Sequence, residues 1–374
     1  MFQVLTTSWA LLLGMFLLMV GNGLQGTLLG LRGDIEGFST FEMSIVMAAY
    51  FAGFLGGSRA APEMIRRVGH VRVFAALGSF VSAAVLLFPV VTEPVTWTAL
   101  RMVIGFCFSG LYVTAESWLN NSSSNENRGK ALSLYLITQM GGIVAAQGII
   151  SIGDPSGFIL FIIPSVLVSI SFAPILLSVS PAPAFETTKP MSFGEIYRAS
   201  PLGCVGIFLL GGIFSALFGM ASVYAAQSGM SLKQVSTFIA AIYLGGLVFQ
   251  YPIGWMSDRM DRRILIGGVA AFGAVAAAVA TLSLGGYYGI LVMAFLIGGS
   301  ANPLYALLIA HTNDFLELED MAAASGRLIF INGVGAVAGP LITGQIMTLM
   351  GPGGFFVFLS LLLALIAVYA GYRM

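Results

Sequence analysis

"GWMSDRMDRR", Gly254 to Arg263, places five charges (Asp258, Arg259, Asp261, Arg262 and Arg263) in ten residues of a chain that is only 9% Asp, Glu, Lys and Arg. Long apolar runs flank it on both sides. Charge confined between such runs marks a connection between membrane-spanning helices. The composition agrees: 58% of the 374 residues are hydrophobic and the mean hydropathy is +0.95, whereas a soluble domain is nearer half apolar and a quarter charged. A water-soluble fold could not hide this much apolar surface. Only helices and closed barrels satisfy their backbone groups in lipid. The runs here are continuous rather than alternating, which excludes a barrel. The first run lacks a basic leader and is too long for a signal-peptide core, so it is expected to be a retained span.

At roughly 20 residues per span, the chain divides into twelve apolar runs, at about 8–30, 41–60, 73–92, 96–118, 130–151, 156–179, 201–225, 234–255, 264–284, 287–310, 324–349 and 354–372. "SPAPAFETTKPMSFGEIYRAS", Ser180 to Ser200, is the longest polar, proline-containing stretch and reads as a linker. The expected organisation is an N-terminal six-helix bundle over 1–180, a cytoplasmic linker over 181–200 and a C-terminal six-helix bundle over 201–374.

Basic residues orient the chain, because cytoplasmic loops carry an excess of them. With the N-terminus inside, twelve fall on the cytoplasmic side: Arg59, Arg66, Arg67, Arg72, Arg128, Lys130, Lys189, Arg198, Arg259, Arg262, Arg263 and Arg373. Only Arg32 and Lys233 fall outside, and Arg101 and Arg327 lie within spans. Both termini are therefore expected in the cytoplasm. The sequons around Asn120 have no meaning on that side.

The chain also repeats itself. "GLYVTAE" (Gly110 to Glu116) corresponds to "PLYALLI" (Pro303 to Ile309) at an offset of 193, at which Gln139 also meets Asn332 and Gly142 meets Gly335. At 192, "RRVGHVR" from Arg66 meets "DRMDRRI" from Asp258. Each match is short, but their shared offset is about half the chain. Two parallel copies of one six-helix unit explain it, since an even number of spans returns each copy to the same side.

Several function classes find no support. A net charge of zero argues against nucleic acid. Cys107 and Cys204 lie in apolar runs and suggest neither disulfide nor metal site. Two histidines, His70 and His311, do not build a metal cluster. "GVGAVAG" follows no strand, so it fails the context test for a nucleotide loop. No nucleophile–base pair stands out, no loop is long enough for an ATP-hydrolysing domain, and no cofactor is expected.

These residues resemble the major facilitator superfamily (MFS) over essentially the whole chain. "GWMSDRMDRR" is similar to its loop motif G-x-x-x-D-R-x-G-R-R, with Asp261 where glycine is usual. In the equivalent first-half loop Arg66 occupies the Asp position, while Arg67 and Gly69 match. "RMVIGFCFSG" resembles the span-4 motif, with Arg101 and Gly105 in register. "GAVAGPLITG" resembles a Gly-Pro helix motif but lies in span 11 rather than span 5, which departs from drug antiporters. "ESWLNN" followed by "NRGKALSLY" is similar to the YcaD-like bacterial branch. The resemblance implies an all-α polytopic membrane protein with the MFS fold, its twelve transmembrane helices forming two pseudo-symmetric six-helix bundles around a central cavity walled by spans 1, 4, 7 and 10.

On that reading Asp258, Arg259, Asp261, Arg262, Arg263, Arg66, Arg67 and Glu116 are gate or latch candidates. Asp258 would meet the positive N-terminal end of span 5 near Lys130; the plainer reading of the loop is a basic anchor at the membrane surface. Glu116 is either a latch partner for Arg66, Arg67 or Arg72, or a proton-carrying carboxylate. Arg101 binds a substrate anion, tunes a nearby proton site through span 1, or pairs structurally with Asp34 or Glu36. Glu116, Asp34 and Arg101 are thus the coupling candidates. Asn22, Gln25, Tyr112, Tyr224, Asn302 and Tyr305 are candidates for the cavity wall, against the alternative of helix–helix hydrogen bonding. Arg327 faces the acidic run Asp314, Glu317, Glu319 and Asp320 as a second latch or as solvated charge. Gly333, Gly335, Gly339 and Gly344 read as helix packing or, with Pro340, as a hinge.

The expected function is secondary transport by alternating access of a small neutral, amphipathic or singly charged solute. Protons are the expected coupling ion, the lipid bilayer the surroundings and the monomer the working unit. The competing classes are a non-transporting receptor or scaffold on the same fold, and a lipid flippase.

Overall fold

The computed structural model describes residues 2–122, 128–177, 192–282, 285–317 and 320–374, with side chains left out at 2–8, 120–122, 128–130, 132, 133 and 322. The described residues are helical nearly throughout: α1 (Phe2–Ile35), α2 (Thr40–Val68), α3 (His70–Leu87), α4 (Pro94–Ser122), α5 (Arg128–Ile150), α6 (Ile159–Ser171) and α7 (Ala173–Leu177), then α8 (Phe193–Ala199), α9 (Pro201–Ser215), a π turn (Ala216–Met220), α10 (Ala221–Gln227), α11 (Leu232–Ser257), α12 (Arg262–Thr281), α13 (Gly286–Asn313), α14 (Met321–Met350) and α15 (Gly354–Tyr372). Among the described residues eleven stretches are long and apolar enough to cross a membrane, including Ile159–Leu176 and Pro201–Gln227, each built of more than one helix. The apolar part of α5, Leu134–Ile150, is shorter and completes the twelve expected runs.

Local chemistry sets the breaks. α2 ends at Val68 and α3 begins at His70, so Gly69 alone makes the connection, at φ 83°. Only glycine adopts that conformation without a side-chain penalty. Ser231 caps α11 by accepting from the Gln234 N–H, while Gln234 returns a bond to the Ser231 N–H. Ser200 does the same service for α9, with Pro201 at its first position. Pro62, Pro252, Pro303 and Pro340 lie inside helices that continue through them. In a bundle, neighbours re-satisfy the carbonyls that proline frees.

The chain divides into two compact units. One comprises Met1–Gly37 with Ala49–Glu186, the other Phe38–Ala48 with Thr187–Met374. The start of α2 thus packs with the second unit: Gln227 Nε2 donates to Thr40 Oγ1 at 2.8 Å, and Gly344 lies against Ser44. Of the linker expected over 181–200, residues 181–191 lie outside the described residues. The remainder forms α8, with a Ser192–Glu195 capping box and a fully buried Ile196.

The two units pack by the same device. In the first, a Cβ on Gly105 of α4 would overlap the Tyr50 carbonyl of α2, and one on Gly142 of α5 would press on the Phe16 carbonyl of α1. In the second, Gly298 of α13 meets the Ile242 carbonyl of α11, and Gly335 of α14 meets the Phe208 carbonyl of α9. Gly105 and Gly298, like Gly142 and Gly335, are 193 residues apart. The half-chain repeat is therefore a repeat of helix–helix contacts. Small residues let backbones approach closely where lipid gives no hydrophobic drive. Gly339 presses on Ser215 and the Gly212 backbone in the same way, and α14 stays helical through Pro340, which supports packing as the role of the span-11 glycines.

Candidate functional site

In the first unit, polar side chains converge where α1, α2 and α4 meet. Arg101 is 3% exposed. Its Nη1 donates to Gln25 Oε1 at 2.8 Å, and its guanidinium lies 4.5 Å from the centroid of the Tyr50 ring. Asn22 hydrogen-bonds the Tyr50 hydroxyl. Arg101 therefore turns to span 1 through Gln25 rather than to Asp34 or Glu36. Asp34 is exposed at the end of α1, nine residues beyond Gln25 or roughly 13 Å along the helix. Glu36 is taken by Arg32, at 2.6 Å, and Arg32 also donates to the carbonyls of Pro155 and Ser156. The expected pairing of Arg101 with Asp34 or Glu36 is corrected: the buried guanidinium finds an amide and a ring face at its own depth.

Further along α4 the chemistry changes to aromatic rings and a carboxylate. Phe108, Tyr112 and Glu116 recur every four residues, so they share one face. Tyr112 sits 6.1 Å from Phe54 of α2 and 6.2 Å from Phe108, and its hydroxyl donates to Met19 Sδ of α1 at 3.2 Å. Phe54, Tyr112 and Glu116 are partly exposed, while Phe108 and Met19 are buried behind them. The buried Tyr135 of α5 reaches Glu116 Oε1 at 3.4 Å, a long contact, and is itself hydrogen-bonded by Gln139.

The second unit carries an equivalent aromatic face without the charge. Phe218, in the π turn, stacks on Tyr243 of α11 at 5.2 Å and on Phe214 at 5.4 Å, and Phe214 lies 6.1 Å from Tyr305 of α13. Ile309 stands at the repeat position of Glu116. Asn302 donates to the Gly298 carbonyl of its own helix at 3.0 Å and packs against Gly246. Tyr224 is corrected from cavity wall to core. It is 4% exposed and enclosed by Phe238, Phe355 and Phe356 at 4.9 to 5.5 Å.

The charged loops resolve differently in the two copies. Where Arg66 replaces the motif aspartate, Glu63 one turn earlier holds both Arg66 and Arg67, at 2.7 and 2.6 Å. Of the two readings of Glu116, the latch with Arg66 or Arg67 is not the arrangement seen: among the described residues Glu116 has Tyr135 for neighbour, and Arg66 and Arg67 pair with Glu63. In the second copy, Asp261 caps α12 by accepting from the Arg263 N–H at 2.8 Å and pairs with Arg263 Nη2 at 2.7 Å. These contacts hold its carboxyl down to about 2. Its φ of −58° needs no glycine, because four residues, Asp258 to Asp261, make this turn where Gly69 makes the other alone. Arg262 pairs with Asp314 and donates to Ser257 Oγ, and Arg259 lies 4.1 Å over the Trp255 ring. Together with His311 and Phe315 they line an open depression of about 610 Å³. Asp258 is exposed at the end of α11. The side chain of Lys130, its expected neighbour, lies outside the described residues, as does Glu319. Arg327 lies 4.8 Å over Phe193 of the linker helix, which also packs on Phe330. Among the described residues no group of three or more His, Cys, Asp or Glu could hold a metal ion.

Of the residues singled out from the sequence, Arg101, Gln25 and Asn22 lie together, and Tyr112 and Glu116 share a face of α4; Tyr50, Phe54 and Phe108, which pack among them, carry no motif of their own. The repeat held a usable signal. Tyr50 and Tyr243 are 193 residues apart, as are Tyr112 and Tyr305.

Comparison with known proteins places this geometry. The family model of the Major Facilitator Superfamily matches the chain twice, over residues 11–241 and 203–373. An uncharacterized MFS-type transporter of Yersinia pestis is 26% identical over 365 residues, 94% of each chain. The uncharacterized MFS-type transporter YcaD of Escherichia coli O45:K1 is 26% identical over 90% of this chain and 88% of its own. Among solved structures, a mutant of the nucleoside transporter NupG superposes with a TM-score of 0.83 at 13% identity, covering 98% of this chain and all of its own. A bacterial homologue of the human lysosomal transporter Spinster, inward-facing and unoccupied, gives 0.72 at 14% identity over 97% and 94%. The matches extend the length of the chain and agree with the twelve apolar runs, the loop motif and the repeated glycine contacts: the chain is an all-helical integral membrane protein and belongs to the Major Facilitator Superfamily.

Proposed function

We propose that the protein is a secondary transporter. It moves a small neutral, amphipathic or singly charged solute by alternating access, in a bacterial inner membrane with both termini cytoplasmic. The observation that carries this reading is the repeated aromatic face: Tyr50 and Tyr112 in one unit have Tyr243 and Tyr305 at the same offset in the other. Each pair sits among further rings at 5.2 to 6.4 Å. Duplicated halves that carry the same aromatic positions are a recurring feature of carriers built from two repeats. The nucleoside transporter NupG shares the fold, which is consistent with a small organic solute.

Protons are the coupling ion in this reading and Glu116 the carboxylate that carries them, since its neighbour is the neutral Tyr135. In proteoliposomes, Glu116→Gln should abolish uptake driven by an imposed proton gradient, and any solute exchange that remains at saturating solute should lose its pH dependence. Undiminished gradient-driven uptake in the variant would remove Glu116 from the coupling path.

Asp258 is the latch residue of the reading, because the loop arginines are engaged locally while its carboxylate is exposed. Asp258→Asn should then raise the labelling of cysteine reporters on the cytoplasmic side at the expense of the other. Identical labelling on both sides would reduce the loop to a basic anchor.

A further inference from the structure

The face of α4 that carries Phe108, Tyr112 and Glu116 states what kind of solute the protein takes. Three observations bear on it. First, Phe54 and Tyr112 present partly exposed rings 6.1 Å apart, backed by Phe108. Ring faces carry negative potential and attract cations, including quaternary ones that cannot donate hydrogen bonds. Second, Glu116 lies one helical turn from Tyr112 on the same face, partly exposed, and is not ion-paired among the described residues. Arg66 and Arg67 are paired with Glu63 instead. Third, the interior guanidinium is buried and engaged by an amide and a ring. Arg101 is 3% exposed, bonded to Gln25 and laid over Tyr50. It stands fifteen residues from Glu116, roughly 22 Å along the helix.

From this juxtaposition we propose that the solute is a monovalent organic cation with aryl or alkyl substituents, held by Glu116 and the rings of Tyr112 and Phe54. One charge is specified because one carboxylate, Glu116, stands on the helix face that carries Tyr112 and Phe108. Tyr135 and Met19 are positioning residues. Tyr135 holds the carboxylate from behind and Met19 holds the Tyr112 hydroxyl, which sets the ring beside the carboxylate.

The inference rests on the transporter reading for its biological meaning, but its test is one of binding. Purified full-length protein is titrated with tritiated tetraphenylphosphonium, and with tetraphenylborate, which has the same shape and the opposite charge. Saturable binding of the phosphonium but not the borate is expected. Glu116→Gln should weaken it about tenfold or more and Glu116→Asp much less, while Tyr112→Leu weakens it severalfold and Tyr112→Phe hardly at all. The tyrosine comparison separates a ring-face contact from a hydroxyl contact, and the Asp and Phe variants guard against misfolding. Equal binding of both ions, or phosphonium binding indifferent to Glu116→Gln, overturns the proposal. Transport of neutral solutes without saturable cation binding would leave the transporter standing and remove the cation. Saturable, Glu116-dependent cation binding without flux of any solute would keep the binding site and remove the transporter.

Discussion

A single position, Asp261, shows how one side chain can replace another's role. The family motif has glycine here, and in the first-half loop Gly69 needs its positive φ because it alone links two helices. The second loop is longer, its backbone is unstrained, and the position is free for a side chain that caps α12. Removing a cap costs about 1 kcal/mol, and restoring glycine only a few tenths. Asp261→Ala should therefore lower the melting temperature slightly and Asp261→Gly less. Thiol-reactive dye melting suits the measurement, because Cys107 and Cys204 are both buried until the chain unfolds. The sign of the pH dependence follows from the depressed carboxyl. Its contribution is complete above the unfolded value of about 3.9, and it is lost only as pH falls through about 2. The gap between wild type and Asp261→Ala should stay constant from pH 8 to 5. A gap that closes across that range would mean the cap is not the source.

Helices are where the sequence was most and least informative. All twelve runs were legible because apolar length is a direct requirement of the bilayer, and their observed ends differ from the expected ones by several residues. Which face of each span points inward was not legible. Lipid is as apolar as the protein interior, so a spanning helix has no polar face to mark its outside. Hence the sequence leaves Tyr224 open between cavity wall and helix packing, where the structure shows it packed in the core, and it does not mark Tyr50 or Phe54. The linker helix escaped for another reason: its seven residues carry one buried apolar anchor, Ile196, and an exposed Phe193 held by Arg327 and Phe330. Glycine contacts are the element-scale device that both halves share. Gly105→Ala and Gly298→Ala should each destabilise by about 1–3 kcal/mol, since the new methyl meets backbone carbonyls that cannot move aside. Gly268→Ala, where a Cβ meets nothing within 4 Å, should be neutral or stabilising by about 0.4–1 kcal/mol. Equal effects at all three positions in dye melting would refute the contact-based account.

For the whole molecule, duplication is the organising fact. It was visible as a 193-residue offset, it reappears as equivalent glycine contacts, and the family model matches the chain twice. What duplication could not convey is where the copies have diverged. The first keeps a glycine turn, an acid at position 116 and a buried arginine; the second has a capped turn, an isoleucine and a π turn. Those differences leave the carboxylate and the buried arginine on α4. The most direct measurement is solute counterflow into proteoliposomes preloaded from a broad panel of small organic compounds. The account predicts saturable, protein-dependent counterflow for at least one of them. Traces indistinguishable from protein-free liposomes across the whole panel, with folded protein verified in the membrane, would contradict it.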